Sequence, residues 1–254
     1  MRNLKVISAL MDYPEAELLE GRQELINELR DDPFLGQPQK EALIEFVDQL
    51  CTSDLLDVQE EYVALFDRGR SNSLLLFEHV HGESRDRGQA MVDLMSVYEK
   101  QGFVIDQREL PDYLPLFLEF LSLRPEQEVR QWLGDVCHIL ALLEARLHKR
   151  ESGYAVLFEA LLSLVGVEVE REGVKEKVAS EERDDTPEAL DKVWEEEMVR
   201  FTEGSAQEGN AACGDSLLNQ RRQELNAPDI AKPVHLQPMP GAPSQKLTQR
   251  VTGS

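Results

Sequence analysis

The chain has 254 residues, of which 41% are hydrophobic, and this supplies enough apolar material for a folded core. Its 49 Asp and Glu residues outnumber its 27 Lys and Arg residues, which gives a formal net charge of −22 at pH 7. Such a charge disfavours nucleic acid and anionic lipid as partners, because both bind cationic surfaces. It favours a cationic peptide or a basic protein surface, although it would also serve solubility alone.

Compartment and redox state follow from what the sequence lacks. No apolar stretch approaches the roughly 20 residues of a membrane span, and the first residues do not resemble a signal peptide. We therefore expect a cytoplasmic protein without direct membrane insertion.

The three cysteines, Cys51, Cys137 and Cys213, form neither a disulfide framework nor a C-x-x-C pair. Cys51 and Cys137 fall within helical patterns and are interpreted as core residues.

The first 66 residues show the periodicity of amphipathic helices. The turn signals at residues 31–33 and 36–38 separate them. The pattern predicts a short apolar opening at residues 4–11, one helix carrying Leu18, Leu25 and Leu29, a third around residues 43–50, and a fourth that is capped by Ser53 or Asp54 and carries Tyr62, Leu65 and Phe66.

The most unusual stretch of the chain is residues 62–94, which we call the central segment. A break at residues 67–70 contains Gly69, which permits the positive φ of a tight turn. An apolar run and a cluster of His, Glu, Asp and Arg follow. Ser84 is a candidate cap for the next helix, which Gly102 should end.

The second half predicts further helices after a linker at residues 106–113. Pro115 suits the first turn of a helix that stops at residues 124–125. Apolar residues at 129, 133, 136, 140, 143 and 147 predict one long central helix, and residues 154–165 predict another that Gly166 ends. Residues 168–177 mix charges and should be solvated. Thr186 and Pro187 start a late helix with an apolar face at Leu190, Val193, Trp194, Met198 and Phe201.

These patterns predict an all-α fold, a single helical bundle, with no convincing strand. We assign residues 1–203 to the helical domain. Residues 204–254 are polar and rich in proline, and they are predicted to be a mostly disordered tail.

The cluster around His79 and His81 admits a metal-site interpretation. Helical positions two apart diverge by about 200°, so two imidazoles would converge only in an extended loop. The simpler interpretation is that the histidines form hydrogen bonds within a packed turn, while the neighbouring arginines pair with acidic residues. A metal-dependent helical hydrolase that uses His79 and His81 remains the alternative function. No P-loop, H-E-x-x-H or nucleophile motif supports an enzyme, and we predict no catalytic and no metal residues.

The linker Glu109-Leu110-Pro111-Asp112-Tyr113-Leu114-Pro115 forms a second cluster. Its prolines rigidify it, and its two carboxylates are candidates for contact with a basic ligand. An ordinary interhelical connection is the competing interpretation.

The residue patterns then show a resemblance. The run Phe-Glu-His-Val-His-Gly-Glu-Ser-Arg-Asp-Arg-Gly at residues 77–88, with Leu-Phe-Asp-Arg-Gly-Arg at 65–70, resembles the NarJ family of nitrate reductase molybdenum cofactor assembly chaperones, relatives of the TorD and DmsD chaperones. Residues 108–112, 139–146, 150–158, 183–187 and 193–197 extend it. The wider superfamily favours a Glu-x-Pro-Asp-His linker, and Tyr113 occupies the histidine position here.

The resemblance implies a non-enzymatic cytoplasmic chaperone. It would bind the N-terminal peptide of the nitrate reductase α subunit, alone or in the αβ complex, permit molybdenum cofactor insertion and delay membrane docking, without stably binding a cofactor or joining the mature enzyme. A groove between helices with acidic surroundings suits a basic amphipathic peptide. The candidate peptide-binding residues are Tyr62, Phe66, Asp67, Arg70, Phe77, Glu78, His79, His81, Glu83, Arg85, Asp86, Arg87, Met91, Glu109, Pro111, Asp112 and Tyr113.

Overall fold

The computed structural model describes residues 1–81, 85–105, 109–166, 171–189, 191 and 245–246. Helices dominate these residues. In chain order they are α1 (Arg2–Met11), α2 (Ala16–Glu20), α3 (Arg22–Asp31), α4 (Gln37–Thr52), α5 (Leu55–Phe66), α6 (Leu76–His81), α7 (Arg85–Lys100), α8 (Leu114–Ser122), α9 (Glu126–Asp135), α10 (Cys137–Lys149), α11 (Ala155–Val165) and α12 (Arg171–Ala179).

The core is built around α8 and α11, which are apolar on nearly all sides. Both have most of their residues buried, as expected for helices surrounded by other helices. Helix α1 packs on α8, and α11 contacts α10, α4 and α9, while α3 packs on α4. The Ser8 hydroxyl donates a hydrogen bond of 2.6 Å to the buried Pro115 carbonyl and joins α1 to the start of α8. This helix-on-helix architecture confirms the predicted all-α class.

Two very short strands accompany the helices. Strand β1 (Phe103–Val104) pairs in parallel with β2 (Gln245–Lys246), with Phe103 opposite Gln245. The sequence did not predict this pair. Apart from residues 245–246, the predicted tail at 204–254 lies outside the described residues.

The chain divides into two compact units. One comprises Met1–Asp185 with Ser244–Ser254, and the other comprises Thr186–Pro243. Residues 186–189 and 191 are the described part of the second unit, and there the Ala189 N–H donates to the Thr186 hydroxyl at 3.2 Å, as the predicted cap requires. The predicted boundary at residue 203 and the apolar face from Leu190 to Phe201 lie outside the described residues.

Several local signals produce the predicted ends of helices. The Asp54 carboxylate accepts a hydrogen bond from the Leu56 N–H at 2.9 Å and caps α5. Pro115 lies in the first turn of α8. Gly102 and Gly166 adopt φ values of +82° and +77° after α7 and α11, which is the left-handed conformation that glycine allows without strain.

The long helix predicted across residues 129–147 is wrong, since the chain breaks into α9 and α10 at Val136. Val136 has φ −103° and ψ 4°, and its N–H bonds to the Gly134 carbonyl in a tighter turn. Gly134 lowers local helix stability by about 1 kcal/mol relative to alanine, which makes a break there inexpensive. The helix predicted to carry Leu18, Leu25 and Leu29 likewise divides into α2 and α3, at Gly21.

The charged stretch after residue 168 contains a helix that the sequence analysis missed. Helix α12 packs on α10 and buries Val178. The Lys149 ammonium donates to the carbonyls of Val178, Ala179 and Glu181 at 2.7–3.2 Å, and so satisfies the end of α12. One buried valine, the Lys149 hydrogen bonds and the ion pair between Arg171 and Glu144 therefore hold a helix whose remaining residues are mostly polar.

Of the helices in the described part of the chain, none combines the length and the apolar character that crossing a membrane requires.

Candidate functional site

The two clusters singled out in the sequence lie side by side in the fold. The Leu114 N–H donates to the Leu74 carbonyl at 2.8 Å, and the Leu76 N–H donates to the Asp112 carbonyl at 3.0 Å. Leu75 and Tyr113 form an antiparallel bridge between these bonds. The loop that precedes α6 is thus hydrogen-bonded to the linker that precedes α8.

Asp112 is fully buried at this junction. Its carboxylate accepts a hydrogen bond from the Phe77 N–H in the first turn of α6 at 3.1 Å. The Arg87 guanidinium lies 3.9 Å away and also pairs with Glu78 at 3.0 Å. Burial raises the pKa of Asp112, and the Phe77 N–H and the Arg87 charge offset this only in part. Asp112 therefore works as an internal cap for α6.

Buried Tyr62 and half-buried Tyr113 form a pair next to this junction. Their hydroxyls lie 3.2 Å apart; Tyr62 donates to the Met11 carbonyl at 3.0 Å and Tyr113 donates to the Asp12 carboxylate at 3.1 Å. Burial raises the pKa of both phenols. Tyr113 therefore carries a neutral hydroxyl that joins the linker to the end of α1.

Aromatic packing continues from Tyr62 into the core. Its ring lies 4.9 Å from that of Phe66 and 5.6 Å from that of Tyr13. Phe66 in turn contacts Tyr154 at 5.2 Å in an edge-to-face arrangement. Such pairs favour this geometry electrostatically, so these aromatic residues stabilise the bundle.

His79 is half-buried on α6, and its Nε2 lies 2.8 Å from the Ser73 carbonyl. Burial lowers the pKa of His79, and the nearby charge of Arg146 lowers it further, so the neutral ring donates this hydrogen bond. His81 follows two residues later in the same helix, and its side chain lies outside the described residues. This arrangement matches the packed-turn interpretation of His79.

Among the described residues, one set of metal-ligand side chains comes together. The ligand atoms of Glu144, His148 and Glu159 lie within 4.8 Å of one another. The Arg171 guanidinium already lies 3.2 Å from the Glu144 carboxylate and neutralises it.

The predicted candidate residues differ in exposure. Tyr62, Phe66, Pro111 and Asp112 are buried; Phe77, Glu78, His79, Arg87, Met91, Glu109 and Tyr113 are half-buried; Asp67, Arg70 and Asp86 are exposed. The side chains of His81, Glu83 and Arg85 lie outside the described residues.

A polar cluster that the sequence analysis did not assign forms around Ser71, in the loop between α5 and α6. Gly69, Ser71 and Arg150 surround the carboxylate of Asp184, and Arg146 is bonded to Ser71; we call these four residues the Ser71 cradle. Ser71 donates to it from its N–H at 2.7 Å and from its hydroxyl at 2.6 Å, and Arg150 donates at 3.1 Å. Arg146 donates to the Ser71 carbonyl at 2.5 Å.

Gly69 makes a close approach in this cluster. A Cβ atom placed on it would lie 2.7 Å from Oδ1 and 2.8 Å from both Cγ and Oδ2 of Asp184. Among the described residues, the glycines with positive φ are Gly102 and Gly166, so the turn does not use the φ that Gly69 permits. The carboxylate occupies the space that a side chain would fill.

A groove of about 610 Å³ opens between α1, α2 and α3, and we call it the α1–α3 groove. Its lining combines apolar residues with five acidic and two basic ones: Val6, Ala9, Tyr13, Leu18, Gly21 and Leu25, then Asp12, Glu15, Glu17, Glu24 and Glu28, with Arg2 and Lys5. Tyr13 and Asp12 contact Tyr62 and Tyr113 respectively, so the groove borders the central segment. A concavity on α4 also exists, but Ile44 is the single apolar residue in its lining.

Comparison with known proteins gives a consistent result. Residues 33–160 match the family described as "Nitrate reductase delta subunit". The chain is 51% identical over 224 residues to the nitrate reductase molybdenum cofactor assembly chaperone NarJ of Escherichia coli K12, covering 87% of this chain and 92% of that protein. It is 49% identical over 231 residues to the probable chaperone NarW of the same strain, covering 91% and 95% respectively. Identity to the probable chaperone NarJ of Bacillus subtilis is 32% over 176 residues, or 68% of this chain and 90% of that one.

Proposed function

Because this chain belongs to the family of NarJ-type nitrate reductase molybdenum cofactor assembly chaperones, we propose that it assists assembly of a respiratory nitrate reductase. It binds the N-terminal segment of the α subunit in the cytoplasm, alone or in the αβ complex. This binding keeps the client open for molybdenum cofactor insertion and delays its docking to the membrane. The protein acts by binding, without catalysis, and is absent from the mature enzyme.

The observation that carries the binding proposal is the α1–α3 groove. Its apolar side chains could receive the apolar face of a helical or extended peptide. Its five acidic residues exceed its two basic ones, and Arg2 is already paired with Glu28 at 3.2 Å. The remaining negative charge complements a peptide that carries Lys or Arg, which increases both the association rate and the specificity.

The central segment contributes to this surface in two ways. Its buried members, Tyr62 and Phe66 among them, support the wall of the groove next to Tyr13. Of its exposed members, Asp67 lies close enough to Tyr62 for its charge to raise the pKa of that phenol, and so adds negative charge near the groove. The proposed contact region therefore runs from the α1–α3 groove towards residues 62–95 and 109–113.

Calorimetric titration with a synthetic peptide of the α-subunit N-terminus tests the proposal. Reversing the charge of Asp112 would disturb the α6 cap, so exposed positions are better targets. The double variant Glu17→Lys/Glu24→Lys changes two exposed residues of the groove. We expect about tenfold weaker binding at low salt, and a smaller difference at 0.5 M salt because the charges are screened.

Glu41→Lys, an exposed position on α4, is the matched control and should bind as the wild type does. Equal affinity of the double variant and the wild type at low salt would remove the groove from the proposal. Absence of binding by the wild-type chain itself would refute the chaperone–peptide interaction.

A further inference from the structure

The Ser71 cradle binds the Asp184 carboxylate through the same kinds of donor groups that bind an external anion. Each carboxylate oxygen has its own donors: Oδ2 accepts from the Ser71 N–H, and Oδ1 accepts from the Ser71 hydroxyl and from Arg150. Backbone N–H, hydroxyl and guanidinium groups that converge on two oxygens, around a residue without Cβ, are the components of sites that bind carboxylates and phosphates.

The anion and its site belong to separate parts of the chain. Gly69 and Ser71 lie in the loop between α5 and α6, and Arg146 and Arg150 lie at the end of α10. Asp184 lies in residues 180–185, which we call the strap. The strap continues from α12 and is held at Lys149, Arg146 and Arg150. Cations near the last turn of a helix stabilise it through the helix dipole, whichever way their side chains point. Stabilisation of α10 alone therefore does not explain why Arg146 and Arg150 converge on Ser71.

The acidic residues of the strap neutralise the positive charge of Arg146 and Arg150. Arg146 forms two hydrogen bonds with Glu181 at 2.8 and 2.9 Å, and Arg150 lies 3.1 Å from Asp184 and 3.4 Å from Asp185. Glu181, Asp184 and Asp185, three of the four acidic residues of the strap, thus neutralise a concentrated positive site in a chain of net charge −22. Without the strap, this site would attract an external anion.

The Asp184 side chain is exposed enough for an external anion to replace its carboxylate in the cradle. Its side chain is 34% exposed, whereas that of Arg150 is 9% exposed. Burial works to raise the pKa of Asp184, but the Ser71 hydrogen bonds and the Arg150 charge outweigh it and hold the pKa below its ordinary value. The carboxylate is therefore ionised at neutral pH, and the cradle holds a full negative charge at the protein surface.

We propose that the Ser71 cradle is an anion-binding site for a phosphate monoester or a similar phosphate group, and that Asp184 of the strap occupies it in competition with this ligand. Asn72, the next residue in this loop, is fully buried, and its amide atoms have no hydrogen-bond partner among the described residues. This inference is independent of peptide binding by the α1–α3 groove.

The test removes the Asp184 carboxylate from the Ser71 cradle and adds inorganic phosphate. In Asp184→Ala, the full-length chain loses its internal anion, and 10 mM inorganic phosphate should raise its melting temperature by about 3 °C relative to chloride of equal ionic strength. The wild type should shift by less than about 1 °C, because Asp184 competes for the same donors. Acetate should act on the variant more weakly than phosphate, since it carries one charge.

The matched control is Asp184→Ala/Arg150→Gln, which lacks the guanidinium and should show no phosphate-specific shift. Equal shifts in the single and double variants would mean general salt stabilisation, and would overturn the proposal. If Asp184→Ala does not fold, a second experiment tests the same proposal. It measures how much Asp184→Asn broadens the ³¹P resonance of inorganic phosphate, and compares this with the broadening by the wild type and by Arg150→Gln. The proposal requires broadening by Asp184→Asn that exceeds both, and equal broadening by all three proteins would refute it.

Discussion

Glu119 provides a sharp test of the electrostatics of the core. The fold raises the pKa of its carboxyl from 4.5 to about 7, chiefly by burial; the charge of Lys5 opposes the shift, and Glu109 and Asp12 add to it. The folded protein then holds this proton more tightly than the unfolded chain does. The free energy of unfolding therefore falls as pH rises from 4.5 to about 7.

The size of the effect follows from the shift. One pKa unit corresponds to about 1.4 kcal/mol, so ionised Glu119 lowers the stability by at most about 3.5 kcal/mol above pH 7. Its side chain is only partly buried, and solvent screening reduces the expected value to about 1–3 kcal/mol. The neutral variant Glu119→Gln removes this term.

Urea denaturation at pH 4.5 and pH 8 measures the difference. Glu119→Gln should be more stable than wild type by about 1–3 kcal/mol at pH 8 and nearly equal to it at pH 4.5. The exposed control Glu60→Gln, on α5, reports the general effect of removing one negative charge. A difference for Glu119→Gln that is the same at both pH values, or no larger than that of the control, would refute the reasoning.

Two further predictions concern the junction and the tail. Asp112→Ala removes the α6 cap and the charge facing Arg87, and should lower the free energy of unfolding by about 2–4 kcal/mol. Asp112→Asn keeps a hydrogen-bond acceptor and should lower it by less. Equal losses for the two variants in urea denaturation would contradict the capping role. Deleting residues 227–254 removes β2, which pairs through two residues with β1, and should leave the melting temperature nearly unchanged; a loss of several degrees by calorimetry would mean that the tail packs on the bundle.

The helices could be predicted because their signals are local. Three- and four-residue spacing identifies the buried faces of α8 and α11, and Asp54, Pro115 and Gly166 mark ends that the structure reproduces. The breaks at Gly21 and Val136 were missed, because the apolar spacing continues through them: Leu133 and Leu140 are both fully buried although they lie in different helices. Periodicity identifies the side that faces the core, but it does not show whether the backbone hydrogen bonds continue.

The Ser71 cradle was not predictable in this way. Ser71 and Asp184 are 113 residues apart, and the helix that leads to the strap has one buried residue, Val178. No local pattern indicates that a charged segment returns to a loop so far away. Gly69 was a partial signal, but its flexibility suggested a turn, while the structure uses its missing side chain to admit a carboxylate.

Three of the candidate peptide-binding residues are among those that a partner is least able to touch. Tyr62, Phe66 and Asp112 are buried: the two aromatic rings pack against each other in the bundle, and the carboxylate caps α6 from the linker. A peptide recognises exposed groups, so substitutions at buried positions would reduce binding by damaging the fold and would not locate the contact. Exposed acidic residues of the α1–α3 groove, such as Glu17 and Glu24, separate the two effects, because changing them alters the surface charge and leaves the core intact.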